Sequence, residues 1–113
     1  MQRFDISGWL PADTARVLVF EYDADGFLVF AMGSCLGGPD PSIEVRAGLL
    51  SADVVRRALA GEVITERLVV SGRLVVVRHR PIWDEDGSVT RVRCAAVDAT
   101  ELAAMLSATA LAS

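Results

Sequence analysis

Apolar and polar positions alternate with period two through much of the second half of the chain. Residues about 62–70, 73–83 and 88–98 are rich in Val, with Arg, Thr and Glu interleaved, and each run has the length and β-branched content of a strand. Ser71-Gly72 separates the first two runs and Asp84-Glu85-Asp86-Gly87 the last two, and both are hairpin-length turns. The pattern predicts a three-strand meander. Upstream, Arg16 to Tyr22 and Phe27 to Met32 flank Asp23-Ala24-Asp25-Gly26, which predicts another hairpin and five strands in all.

Helical spacing appears in two places. Ser51 to Ala60 sets Val54, Val55, Ala58 and Leu59 on one face, with Ser51 as N-cap, Asp53 in the first turn, Arg56 and Arg57 towards the end, and Gly61 as terminator. From Thr100 the chain is Ala-rich, with Leu102, Met105, Leu106 and Thr109 at helical spacing, and an amphipathic helix is expected to run to the last residue. The glycines between Gly33 and Gly38, then Pro39 and Pro41, exclude regular structure there; a short helical turn capped by Ser42 should follow and end near Gly48. The first residues mix Phe4, Ile6, Trp9 and Leu10 with Ser7-Gly8 and Pro11 and read as an irregular arm.

Turn lengths assign faces, because strand side chains alternate. A two-residue turn at Ser71-Gly72 sets Leu68 opposite Val75, Glu66 opposite Val77 and Ile64 opposite His79. A four-residue turn at 84–87 sets His79 opposite Val92, Val77 opposite Cys94 and Val75 opposite Ala96. One face then carries Ile64, Glu66, Leu68, Val75, Val77, His79, Val92, Cys94 and Ala96. The other carries Arg67, Val69, Leu74, Val76, Arg78, Arg80, Arg91 and Arg93, with Arg80 opposite Arg91 and Arg78 opposite Arg93. Like charges directly opposite destabilise a sheet, so an acidic group is expected nearby, and Glu21 is the candidate.

The element order resembles a PAS domain over about residues 14–106. The resemblance rests on the hairpin at Asp23-Ala24-Asp25-Gly26, on Pro81 through Asp84-Glu85-Asp86-Gly87, and on Asp98-Ala99-Thr100-Glu101, which looks like the family's Asp-x-Thr exit motif before a signalling helix. It implies an α+β fold: a five-stranded antiparallel sheet with helices on one face, an N-terminal arm (1–13), the domain proper (14–98) and a C-terminal exit helix (99–113). It also implies that the first face is the concave one, where ligands sit, with Phe20 and Tyr22 pointing the same way. The expected ligand-binding residues are Tyr22, Glu66, Val75, Val77, His79, Val92, Cys94 and Ala96. The segment between Met32 and Ser51 is shorter and richer in Gly and Pro than the two or three short helices usual in the family.

His79 is the single histidine. Placed inward beside Glu66, it is either a polar ligand contact, a proton-sensitive partner whose pKa the carboxylate raises, or a core histidine satisfied by Glu66 or backbone. Cys35 lies in Gly33-Ser34-Cys35-Leu36-Gly37, which lacks the Asn, Arg, Phe and Gln of the flavin-bonding motif of light-sensing relatives. Residues 51–60 lack the histidine that haem-binding relatives place on their long helix. No cofactor is therefore expected, neither haem nor flavin, and one His with two separated Cys makes no metal-ligand spacing. The glycine-rich 33–38 stretch lacks the Lys of a phosphate loop, no framed nucleophile is present, and an enzyme is not expected.

At 113 residues and net charge −4, the chain reads as one domain with no nucleic-acid or anionic-membrane partner. No apolar run reaches 18 residues, and two isolated cysteines suit free thiols in a reducing, cytoplasmic setting. Two functions follow. One is a sensory domain of a larger bacterial-type signalling protein, binding a small, mostly apolar or fatty-acid-like ligand and relaying through its C-terminal helix to an effector domain. The other is a ligand-free module for interaction and dimerisation. A homodimer is expected, with Trp9, Leu10, Leu102, Met105 and Leu106 meeting Leu74 and Val76 on the outer sheet face.

Overall fold

A computed structural model of the chain describes residues 17–46 and 48–112, with side chains through residue 107. The elements are β1 (Val17–Asp23), β2 (Leu28–Gly33), α1 (Pro41–Arg46), α2 (Ala52–Leu59), β3 (Ile64–Val70), β4 (Arg73–Trp83), β5 (Val89–Asp98) and α3 (Thr100–Ala112). The strands form one antiparallel sheet in the order β2-β1-β5-β4-β3. This is the PAS-like α+β architecture that the sequence suggests. The N-terminal arm lies outside the described residues.

The β3–β4 hairpin has the expected register, with Leu68 opposite Val75, Glu66 opposite Val77 and Ile64 opposite His79. Ser71 and Gly72 both have positive φ, 52° and 76°, the type I′ geometry whose twist matches that of paired strands. The β4–β5 hairpin differs from expectation. Asp84 N–H donates to Ser88 O at 2.7 Å, so the loop holds five residues, and the register shifts once more between Ile82 and Trp83. His79 therefore faces Cys94, Val77 faces Ala96, Val75 faces Asp98 and Pro81 faces Val92. The slip is two residues, one full period, so every side chain keeps its predicted face while its partner changes. Arg80 is opposite Arg93, whereas Arg78 faces Ala95 and Arg91 faces Ile82. Glu21, buried on β1, does supply the acid: its Oε2 accepts from Arg93 Nε at 3.0 Å, and its Oε1 lies 3.5 Å from Arg91 Nη1.

The core lies between the inner sheet face and the two short helices. Leu18, Phe20, Tyr22, Val75, Val77, Val92 and Ala96 meet Val45, Leu49, Val54 and Ala58. Helices of this length do not persist alone; burial of their apolar faces, about 1.5–3 kcal/mol per large side chain, holds them. Ser51 caps α2 as predicted, its Oγ accepting from Val54 N–H at 3.3 Å. At α1 the cap is Asp40 rather than Ser42. Asp40 O accepts Glu44 N–H, and Asp40 Oδ1 accepts both the Ser42 N–H and its hydroxyl. Pro41 occupies the first helical position, where its missing N–H costs nothing, and that moves the cap two residues earlier.

The exit helix is not amphipathic. Its apolar and polar residues are not segregated to opposite sides, and Leu102, Met105 and Leu106 are 46%, 66% and 62% exposed. No helix among the described residues is long and apolar enough to cross a membrane.

Candidate functional site

Four strands contribute to one buried polar cluster on the inner face. Tyr22 comes from β1, Cys94 from β5, His79 from β4 and Glu66 from β3. His79 is completely buried. Tyr22 Oη lies 3.1 Å and Cys94 Sγ 3.2 Å from its Nδ1, and Glu66 Oε1 lies 3.2 Å from its Nε2. The register explains the geometry: Cys94 on β5 is directly opposite His79, Glu66 on β3 is its diagonal neighbour on the other side, and Tyr22, diagonal to Cys94 on β1, reaches across β5 to the imidazole.

Burial sets the protonation states. It pushes the Tyr22 phenol and the Cys94 thiol well above their ordinary values, with the Glu66 charge adding to both. Both groups therefore stay protonated. The sequence suggested that Glu66 would raise the His79 pKa, but the balance runs the other way. Desolvation lowers it, and the hydrogen bond and charge of Glu66 offset that only in part. With the neutral imidazole donating from Nε2 to the Glu66 carboxylate, Nδ1 presents its single lone pair as an acceptor shared between the Tyr22 hydroxyl and the Cys94 thiol. Protonating Nδ1 would turn the acceptor into a donor and force both partners to reorient.

The remaining inward residues fall where the sequence puts them. Val75, Val77, Val92 and Ala96 are fully buried on the same face as the cluster. Side chains occupy this space. An open groove of about 560 Å³ lies elsewhere, between the β1–β2 turn and α2, lined by Asp25, Leu50, Ser51, Val55, Arg56 and Leu59 among others.

The exit motif forms a second constellation. Asp98 Oδ1 accepts the Thr100 N–H at 3.0 Å and its hydroxyl at 2.6 Å, while Asp98 Oδ2 accepts from Arg73 Nε at 2.8 Å. Thr100 Oγ1 in turn accepts the Leu74 N–H at 2.8 Å, and Leu74 O accepts the Ala99 N–H at 2.8 Å. Both backbone groups of Leu74 thus hold the first turn of α3 against β4. Burial raises the Asp98 pKa, but bonds from Thr100 and Arg73 outweigh it and hold the carboxyl below the ordinary value. Asp98→Ala should cost about 1 kcal/mol, the size of a lost helix cap. Amide exchange within residues 101–107 should speed up in this variant; unchanged exchange would mean that the motif does not anchor the helix.

Of the expected interface residues, Leu74 and Val76 are half-buried on the outer face, Leu102, Met105 and Leu106 are exposed on α3, and Trp9 and Leu10 lie outside the described residues.

Sequence reasoning missed Glu44. This α1 residue is 5% exposed, and its Oε1 accepts the Cys35 N–H at 3.1 Å and the Leu36 N–H at 2.7 Å. It thereby closes the glycine-rich loop onto the core. Burial pushes its pKa up, yet donors from Ser34, Leu36 and Cys35 hold it below the ordinary glutamate value. The available signal was an acid in the first turn of a short helix beside a loop with free amides. Cys35, also buried, has its thiol pushed up to about 12, chiefly by burial and then by Glu44.

No protein-family model and no curated protein matches the chain. Among solved structures it is similar to a domain of a histidine kinase from Haloarcula marismortui described as light and redox sensing. The TM-score is 0.56 at 19% identity, over 76% of this chain and 92% of that domain. The likeness is one of fold.

Proposed function

We propose that the chain is a cytoplasmic sensory domain of a larger signalling protein, with the inner sheet face as its input region and α3 as its output to an effector domain. The observation that carries this reading is the clamp of Asp98, Thr100 and Arg73 on Leu74, which fixes the direction in which the chain leaves the sheet. The similar histidine kinase domain, described as light and redox sensing, supports the same class. The ligand would be small and mostly apolar, a fatty acid or another carboxylate-bearing molecule. It would lie against Val75, Val77, Val92 and Ala96, with Tyr22, Glu66, His79 and Cys94 at its polar end. Because side chains fill that space, entry requires α1 and α2 to part from the sheet. No catalytic role, cofactor, nucleic acid or membrane enters this reading.

A second reading is favoured by the complete burial of the inner face and the internal satisfaction of His79. In it the domain holds no ligand and acts through homodimerisation and the register of α3. Native mass spectrometry of the purified chain, with an absorption spectrum, separates the two. A small molecule that stays bound in the native spectrum and is released on denaturation is the expected result. A bare dimer favours the second reading. A bare monomer at high concentration would count against both.

A further inference from the structure

The outer sheet face carries an excess of positive charge in a chain whose net charge is −4. Arg67 on β3, Arg78 and Arg80 on β4, and Arg91 and Arg93 on β5 share this face and are exposed. Glu21 is the strand carboxylate that pairs with them, and it serves Arg91 and Arg93 together. Asp23 is opposite Arg91 in register, but its Oδ1 is engaged by the Asp25 and Phe27 amides of its own turn. Among the described residues, Arg67, Arg78 and Arg80 have no ion-pair partner, and Arg80 faces Arg93 directly.

Such a patch is costly to hold unless it meets opposite charge. Its chemistry selects the partner. Every basic residue of the chain is Arg, none is Lys, and Arg engages carboxylates through a planar two-pronged fork. Exposed apolar groups flank the patch: Phe30 at 39% and Met32 at 57% on β2, and Val69 at 77% on β3. Arg beside an aromatic residue and Met is the composition of a protein-contact surface. The hairpin tips at the same end carry Asp25, Asp84, Glu85 and Asp86, which bound the patch on that side, so it fits a short run of carboxylates rather than a long continuous polyphosphate. A two-fold packing of this half on itself would set arginine against arginine.

We propose that the arginine half of the outer sheet face, Arg67, Arg78, Arg80, Arg91 and Arg93, docks an acidic polypeptide surface of another protein. Adjacent arginines on β4 stand about 7 Å apart, close to the spacing of carboxylates three or four residues apart on a helix.

The test uses a fluorescent helical peptide of about 20 residues with Glu repeated every fourth position and Leu between. Its anisotropy is read against the whole chain at low and high salt. Binding should weaken as salt rises. It should fall roughly tenfold or more in Arg78→Glu/Arg80→Glu, fall less in Arg78→Gln/Arg80→Gln, and stay unchanged in Arg46→Gln on α1. The glutamine pair relieves the Arg80–Arg93 repulsion, so loss of folding does not explain its weaker binding. Equal peptide binding by wild type and both double variants overturns the proposal. So does tighter binding of a short DNA duplex or of phosphatidylserine vesicles than of the peptide. A wild-type dimer that Arg78→Glu/Arg80→Glu converts to monomer also overturns it, because the face would then be a self-interface.

Discussion

Replacing Glu44 with Ala is expected to destabilise the fold by roughly 2–4 kcal/mol, because one buried and one part-buried amide lose a charged acceptor. Those amides belong to Cys35 and Leu36, in a loop with no strand or helix partner for them. The loop leaves β2 at Gly33, whose φ is +86° and where a Cβ would stand 2.2 Å from Val17 O, so only glycine starts the loop along this path. Glu44→Gln keeps the accepting oxygen and loses the charge, and should recover more than half of the loss. Chemical denaturation of the three proteins checks this. Equal midpoints for Glu44→Ala and wild type would show that water replaces the carboxylate and that the loop is not closed by it.

The protein should also lose stability as pH falls from about 6.5 towards 5, the range below the ordinary histidine pKa. The sign follows from burial. The folded His79 binds its proton less readily than the unfolded one. The unfolded chain therefore holds more protons in this window, and unfolding becomes easier as acid is added. A single group can contribute a slope of at most about 1.4 kcal/mol per pH unit. His79 is the one histidine, and the Asp98 and Glu44 carboxyls are held below their ordinary values, so they titrate further down. His79→Leu should flatten the dependence in this window, though it leaves Tyr22 and Cys94 without their acceptor. Glu66→Gln should steepen it, by removing the charge that favours the imidazolium. Denaturation midpoints that rise on acidification would mean that Glu66 dominates and that His79 is charged in the fold.

Parts of this structure were legible in the sequence because short turns leave little freedom. Ser71-Gly72 is a two-residue connection, so its register could be counted and the Glu66–His79 pairing followed. The 84–88 loop was not countable in the same way. The sequence does not mark that Ser88 O, rather than the residue before it, closes the turn, or that the ladder slips at Ile82 and Trp83. The face assignments survived because the error was a whole period. The partners did not, and Cys94 was placed opposite Val77 instead of against the imidazole. The His79 pKa direction was hidden for a different reason. A neighbouring carboxylate is visible in a strand pattern, whereas the depth of burial depends on how α1 and α2 close over the sheet. The cap at Asp40 and the core role of Glu44 likewise depend on the path of a glycine-rich loop, which no period encodes.

The clamp at Leu74 and the imidazole of His79 stand on the same strand, five positions apart, about 17 Å along β4. β4 is hydrogen-bonded on both sides, by β3 and β5, and behaves as a stiff rod. On the proposed reading, the exit helix is a lever pivoting at one end of that rod. Its thirteen residues span about 20 Å. A tilt of about 10° at the pivot would sweep its far end through about 3 Å, roughly half of a helical turn's rise. On that reading, a displacement too small to repack the core at His79 would be enough to shift the far end of α3.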